Sequence, residues 1–305
     1  MQDQKILITG PTGQVALPVA LALARENEVW GVARFTDAKA RERLEAAGVR
    51  CVAADLGEGD FRSLPGDFDY VLNLAVSKSA DGDFDRDLRA NGEATGLLMS
   101  HCRRARAFLH CSTTGVYQPA GHRVFRESDP LGDNHRAIMP TYSIAKIATE
   151  VVARTACREL RLPTTIARLC VPYGNNGGWP WYHLLMMRGG VAIPVHPDRP
   201  SRYTPIHEDD IIAMIPGLLR AASVPATIVN WAGQEQVSLE EWCAYLGELT
   251  GLEPRFEVSD KALDSVQVDT TRLLALAPPA KVSWKDGFRR MVEARAPELT
   301  RRPTT

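Results

Sequence analysis

No run in this 305-residue chain approaches the ~18 consecutive apolar residues that a membrane-crossing helix requires, so no spanning segment is expected. Nor does either charge dominate. Against 37 Asp and Glu stand 36 Lys and Arg, dispersed rather than gathered in a stripe, for a formal net charge of −1. That balance argues against nucleic acid and against an anionic membrane surface as partners. Cysteine pairs are missing too: residues 51, 102, 111, 157, 170 and 243 make no Cys-x-x-Cys, and they read as small buried hydrophobes. His101-Cys102 and His110-Cys111 come nearest to a metal cluster, but no carboxylate spacing completes a site, and no metal is expected. The opening MQDQ shows no basic-then-apolar leader, so the expectation is a cytoplasmic protein. Internal repeats and low-complexity tracts are also lacking.

What the chain does have is 45% apolar residues, enough for a sizeable core, and a rhythm of strand and helix. Lys5 to Ala16, KILITGPTGQVA, reads as a strand, a turn and a helix start. Gly10 and Gly13 let the backbone approach a diphosphate, and the helix start offers unpaired N–H groups. A tight turn needing two glycines would look the same, so the spacing alone is weak. A helix over Gln14–Arg25 follows, bent slightly by Pro18, then strands over 28–33, 49–54, 70–75, 107–111 and 164–169. Helices are expected over Phe84–Arg104 and Thr141–Leu160. Such alternation predicts an α/β fold: a doubly wound parallel sheet, covered on both faces, with ligands beyond the carboxyl ends of its strands. Residues 1–170 are read as this dinucleotide-binding Rossmann unit, joined by a returning segment near 204–233. Residues 171–305 are read mainly as a smaller substrate-binding lobe, with a capping box at Ser238–Glu241 and RRPTT as a frayed tail.

Tyr142 and Lys146 lie one turn apart on one helix face. An ammonium close to a phenol lowers its pKa and fits it for proton transfer near neutrality. Ser112-Thr113-Thr114, at the end of the fifth strand, supply hydroxyls able to bond the same substrate oxygen.

With these residues in place the chain resembles the extended branch of the short-chain dehydrogenase/reductase superfamily, which includes sugar-nucleotide epimerases, dehydratases and ketone reductases. The likeness runs through the glycine turn, Asp55-Leu56, Asn73-Leu74-Ala75, Asn91, Ser112 to Tyr117, Glu127, Tyr142 to Lys146 with Glu150, Arg168 to Gly174, and His207 to Asp210. It implies that Tyr142 is the acid/base, that Lys146 lowers its pKa and bonds the nicotinamide ribose, and that Thr113 orients substrate. Asn91 would support a helix and water chain behind Lys146. Gly10, Thr12, Gly13, Gln14, Val15, Asp55, Leu56, Leu74, Ala75, Val76 and Pro172 would complete the cofactor contacts, with Asp55 at the adenine. A homodimer through the two long helices is the further implication.

Three departures qualify the resemblance: Ala16 for a third glycine, Asn73 at the nicotinamide side, and Tyr203 where many nucleotide-sugar members hold a diphosphate with Arg, Arg202 being one residue off. The second strand closes on Arg34 rather than a carboxylate, with Lys39 and Arg41 nearby, which favours NADP over NAD unless Arg34 is merely a solvated cation or Asp37 folds back. Trp179, Trp181, Tyr182, Met186 and Met187 either shape a pocket for an apolar or ring-shaped small molecule or form the small lobe's core. His183, His196 and His207 read as structural. The expected activity is NADP-dependent hydride transfer at a carbonyl or secondary alcohol carbon. The alternatives are an epimerase or dehydratase that retains NAD, and a dinucleotide-sensing protein without chemistry.

Overall fold

In the computed structural model, which describes residues 1–79 and 81–300, seven strands form one wholly parallel sheet. They are β1 (Lys5–Thr9), β2 (Glu28–Ala33), β3 (Arg50–Ala53), β4 (Tyr70–Asn73), β5 (Ala107–Thr113), β6 (Thr164–Leu169) and β7 (Thr227–Trp231), in spatial order β7-β6-β5-β4-β1-β2-β3. Register aligns their carboxyl ends: Thr9 lies beside Val32 and Asn73, Asn73 beside His110, and Thr113 beside Leu169. The loops that leave these ends therefore share one rim.

The strand sequences explain why both faces are covered. On β1, Ile6 and Ile8 point to one side and Leu7 to the other, as a two-residue period requires. The first side packs on α1 (Ala16–Leu23) and α7 (Glu208–Arg220) through Val19, Met214 and Leu218. The second packs on α4 (Ala94–His101) and α5 (Tyr142–Leu160) through Leu98 and Ala153. A further core gathers Tyr117, Phe125 and Tyr173 with Leu184 of α6 (Trp179–Arg188), Trp242 of α8 (Leu239–Thr250) and Phe288 of α9 (Trp284–Arg295).

Three local expectations change. Pro18 does not bend α1, because that helix starts at Ala16 and places the proline in its first turn, where a missing N–H leaves no internal bond unmade. The helix expected over Phe84–Arg104 is three pieces: α3 (Phe84–Leu88), a π-helical turn (Arg89–Glu93) and α4. Widening is driven by side chains that compete with the backbone ladder: Asn91 Nδ2 donates to the Asp87 carbonyl at 2.7 Å and Thr95 Oγ1 to the Asn91 carbonyl at 2.6 Å. Strand β5 runs on to Thr113, which makes Thr113 the last strand residue rather than a loop residue. The Ser238–Glu241 capping box forms as read. The RRPTT tail lies outside the described residues.

Candidate active site

A crevice of about 750 Å³ opens along the carboxyl rim of the sheet, a size that suits a small ligand or cofactor. Its floor is the glycine turn. Gly10 has φ +62°, and a Cβ there would stand 3.0 Å from the Ala75 Cα, so both its conformation and its surroundings demand glycine. Gly13 N–H closes the turn on the Gly10 carbonyl at 2.9 Å. Beyond it α1 begins without a side-chain cap, which leaves helix N–H groups for a ligand, and Thr12, Gln14 and Val15 line the crevice there. Thr9 braces the turn from below: its Oγ1 donates to Asn73 Oδ1 at 2.8 Å and accepts from the Leu74 and Ala75 N–H groups at 3.0 Å. This cradle, which a single Cβ would fill, fits a dinucleotide diphosphate.

At one end stand Arg34, Phe35, Asp55 and Leu56. Asp37 does not fold back on Arg34. Its carboxylate caps α2 (Ala38–Ala46), accepting from Ala40 N–H at 3.0 Å. Arg41 is turned to Glu45 at 2.8 Å and lies over the Phe35 ring, while Arg34 faces the crevice. Asp55 caps the following turn through Gly57 N–H at 2.9 Å.

At the other end the structure brings together Leu74, Ala75, Val76, Thr113, Tyr142, Lys146 and Pro172. Lys146 is buried and its Nζ donates to the Cys111 carbonyl at 2.9 Å; burial lowers its pKa. Burial also pushes the Tyr142 phenol up to about 12, and the Thr113 hydroxyl beside it pulls it partway back. The expectation that Lys146 lowers this pKa is therefore corrected: desolvation dominates, and Lys146 is not among the groups that move the phenol. Asn91 does lie behind the lysine, on a cavity of about 10 Å³ shared with Lys146, Asn73 and His110. Asn73 does not reach the crevice mouth, because its amide is held by Thr9, Thr95 and His110.

Around this end lie residues that the sequence did not single out. His135 packs edge-on against Tyr142 with ring centroids 4.8 Å apart, and its Nδ1 is 2.9 Å from Ser143 Oγ, which donates to the Gly115 carbonyl at 2.7 Å. Burial lowers its pKa to about 4, so the ring is neutral. Neighbouring Asn134 is buried with both amide atoms unpartnered among the described residues. Lys78 lines the crevice beside Ser77. A signal for His135 was weak, since it precedes Tyr142 by seven residues in a loop without periodicity.

The remaining motif residues serve structure. Glu150 takes Arg168 in a buried two-bond pair at 2.9 and 2.8 Å and accepts from Ser112 Oγ at 2.6 Å. Arg168 also donates to the Tyr117 hydroxyl and the Glu127 carbonyl, both at 3.1 Å. Tyr203 is buried against Trp179 and Trp242, and its hydroxyl donates to the Leu263 and Asp264 carbonyls. His207 caps α7, accepting from Asp209 N–H at 3.1 Å. Trp179, Trp181, Met186 and Met187 pack in the third core and Tyr182 is exposed; none lines the crevice, so the core alternative holds for this segment. Among the described residues no group of His, Cys, Asp and Glu could hold a metal, and no helix is long and apolar enough to cross a membrane.

Comparison with known proteins follows the same lines. A model of the NAD dependent epimerase/dehydratase family matches residues 6–221. A D-erythronate dehydrogenase of Cupriavidus necator is 27% identical over 221 residues, which is 64% of this chain and 66% of the relative, just under two thirds of its length. Among solved structures, UDP-glucuronic acid 4-epimerase from Bacillus cereus, in complex with UDP-glucuronic acid and NAD, superposes with a TM-score of 0.83 at 20% identity, covering 95% of this chain and 98% of that one. DesIV, a dTDP-glucose 4,6-dehydratase from Streptomyces venezuelae with NAD bound, gives 0.80 at 21% identity over 95% and 96% of the two chains. At such identities the superpositions establish the fold.

Proposed function

Because the chain belongs to the NAD dependent epimerase/dehydratase family, and is thus a nicotinamide-dinucleotide enzyme of the extended short-chain dehydrogenase/reductase type, we propose that it is an NADP-dependent oxidoreductase acting on a carbonyl or secondary alcohol carbon. The observation that carries this reading is one crevice with the glycine cradle as its floor, Arg34 at one end and Thr113, Tyr142 and Lys146 at the other. Bound there, the nicotinamide would exchange the hydride. Tyr142 gives its proton to the substrate oxygen in reduction and recovers it in oxidation; a phenol held protonated suits the donor role. Thr113 orients the same oxygen. Lys146 brings a fixed cation to the ribose side, and Asn91 holds the loop and cavity behind it. Gly10, Thr12, Gly13, Gln14 and Val15 hold the diphosphate, Asp55 and Leu56 the adenine, and Leu74, Ala75, Val76 and Pro172 the nicotinamide half. Val171 and Pro172 bring the lobe of residues 171–305 to the crevice, and the protein acts as a cytoplasmic homodimer.

The second reading, a sugar-nucleotide epimerase or dehydratase that keeps its NAD, is favoured by the solved structures named above. The burial of Tyr203, at the position where many nucleotide-sugar members carry a diphosphate-holding Arg, speaks against it. A non-catalytic sensor is disfavoured by the presence of Thr113, Tyr142 and Lys146 together.

The test has two arms. With D-erythronate, after the curated relative, as the first substrate assayed, Tyr142→Phe is expected to lose turnover while NADPH fluorescence titration is nearly unchanged; an active Phe variant rejects the assignment. Arg34→Ala is expected to weaken NADPH about tenfold or more and leave NADH unaltered, since one charge-assisted bond is lost. Equal NADH binding in the wild type, indifferent to Arg34, would favour the NAD-retaining reading.

A further inference from the structure

The loop after β4 is built with more polar bonding than a connector needs. Asp87, fully buried, accepts from Ser77 Oγ at 2.8 Å, from Ser79 N–H at 2.9 Å and Ser79 Oγ at 2.7 Å, and from Thr141 Oγ1 at 2.7 Å. Asn91 takes the Ser77 backbone from both sides, accepting its N–H at 2.9 Å and donating to its carbonyl at 3.0 Å. Thr141 directly precedes Tyr142. One carboxylate therefore ties both neighbours of Lys78 to the residue before the phenol, and the position of Lys78 is fixed relative to the reacting end.

Lys78 itself lines the crevice and is exposed, and among the described residues no carboxylate pairs with it. The ties of its neighbours through Asp87 to Thr141 set it at the Tyr142 end of the crevice, and its charge acts on both His135 and Lys146. Besides Arg34, the crevice is lined by the ammonium groups of Lys78 and Lys146 and by the guanidinium groups of Arg89 and of Arg86, the last paired with Asp81. The acidic lining residues, Asp55 and Glu58, belong to the Arg34 end, and Glu150 is engaged by Arg168 and Ser112. Among the described residues none beyond Pro172 lines the crevice, so the large aromatic core adds no surface for a bulky ligand.

We propose that Lys78 is the specificity residue that recognises an anionic group, so that the substrate is a small hydroxy or oxo carboxylate whose reacting carbon sits beside Tyr142. The site is that of the oxidoreductase reading, but the claim concerns binding and is testable without turnover. Calorimetric titration of the full-length protein with NADP⁺ bound would compare glycerate and threonate with glycerol and threitol, which match them in carbon skeleton and lack the carboxylate. The acids are expected to bind about tenfold or more tightly than the polyols, Lys78→Met to abolish that preference, and Lys78→Arg to restore most of it. Tyr142→Phe should leave the preference in place. Equal binding of acids and polyols, a preference that survives in Lys78→Met, or a loss confined to NADP⁺ affinity would each overturn the assignment. A preserved preference without hydride transfer from any of the hydroxy acids to NADP⁺, or from NADPH to an oxo acid, would instead sink the oxidoreductase reading alone.

Discussion

At the scale of single residues, the most consequential pair outside the crevice is Arg168 with Glu150, both nearly inaccessible. Removing one partner strands the other charge in the interior, which typically costs about 3–5 kcal/mol. Arg168→Met should therefore lower stability by that order in urea unfolding, and Arg168→Met combined with Glu150→Leu should recover part of it. A single variant as stable as the wild type would show that the pair contributes nothing net. The sequence announces the residues whose relation is local: Tyr142 and Lys146 are four apart on one helix, and Gly10 and Gly13 share one turn. It is silent where the partner is distant. That Lys146 bonds the Cys111 carbonyl rather than reaching toward the phenol depends on how α5 lies across β5, and the docking of His135 on Tyr142 depends on the whole 131–141 loop.

Among elements, the segment from Phe84 to His101 shows why periodicity alone misleads. Its apolar spacing is helical throughout, yet Asn91 and Thr95 open a π turn that no hydrophobic pattern encodes. The helices beside that turn carry apolar side chains in the open: Leu97 on α4 is 51% exposed, and Ile144 and Val151 on α5 are 40% and 54% exposed. Ile144 and Val151 are seven residues apart and share a face. An apolar strip on this pair of helices supports the proposed homodimer. Val151→Asp is expected to give a monomer by light scattering after gel filtration. A dimer that persists in this variant would move the interface elsewhere.

For the molecule as a whole, the buried histidines make stability depend on acid. Burial holds His110, His135, His183 and His207 below the ordinary imidazole value, His135 at about 4 and His183 at about 3. Between those values and about 6.5 the unfolded chain binds more protons than the folded one, so stability is complete above that range and is lost as pH falls. Each such histidine contributes a slope of about 1.4 kcal/mol per pH unit where it is fully depressed. The melting temperature should drop steeply from pH 7 to pH 5, with proton uptake on unfolding; a flat profile would contradict the buried, neutral state of these rings. The sheet is also not sequential along the chain: β6 lies between β5 and β7, and β7, residues 227–231, falls within the returning segment read near 204–233. A fragment that stopped at residue 170 would leave β6 with a bare row of backbone donors and acceptors, an edge ready to recruit other chains. On the ribosome, then, the parallel sheet cannot be completed until residues 227–231 have emerged.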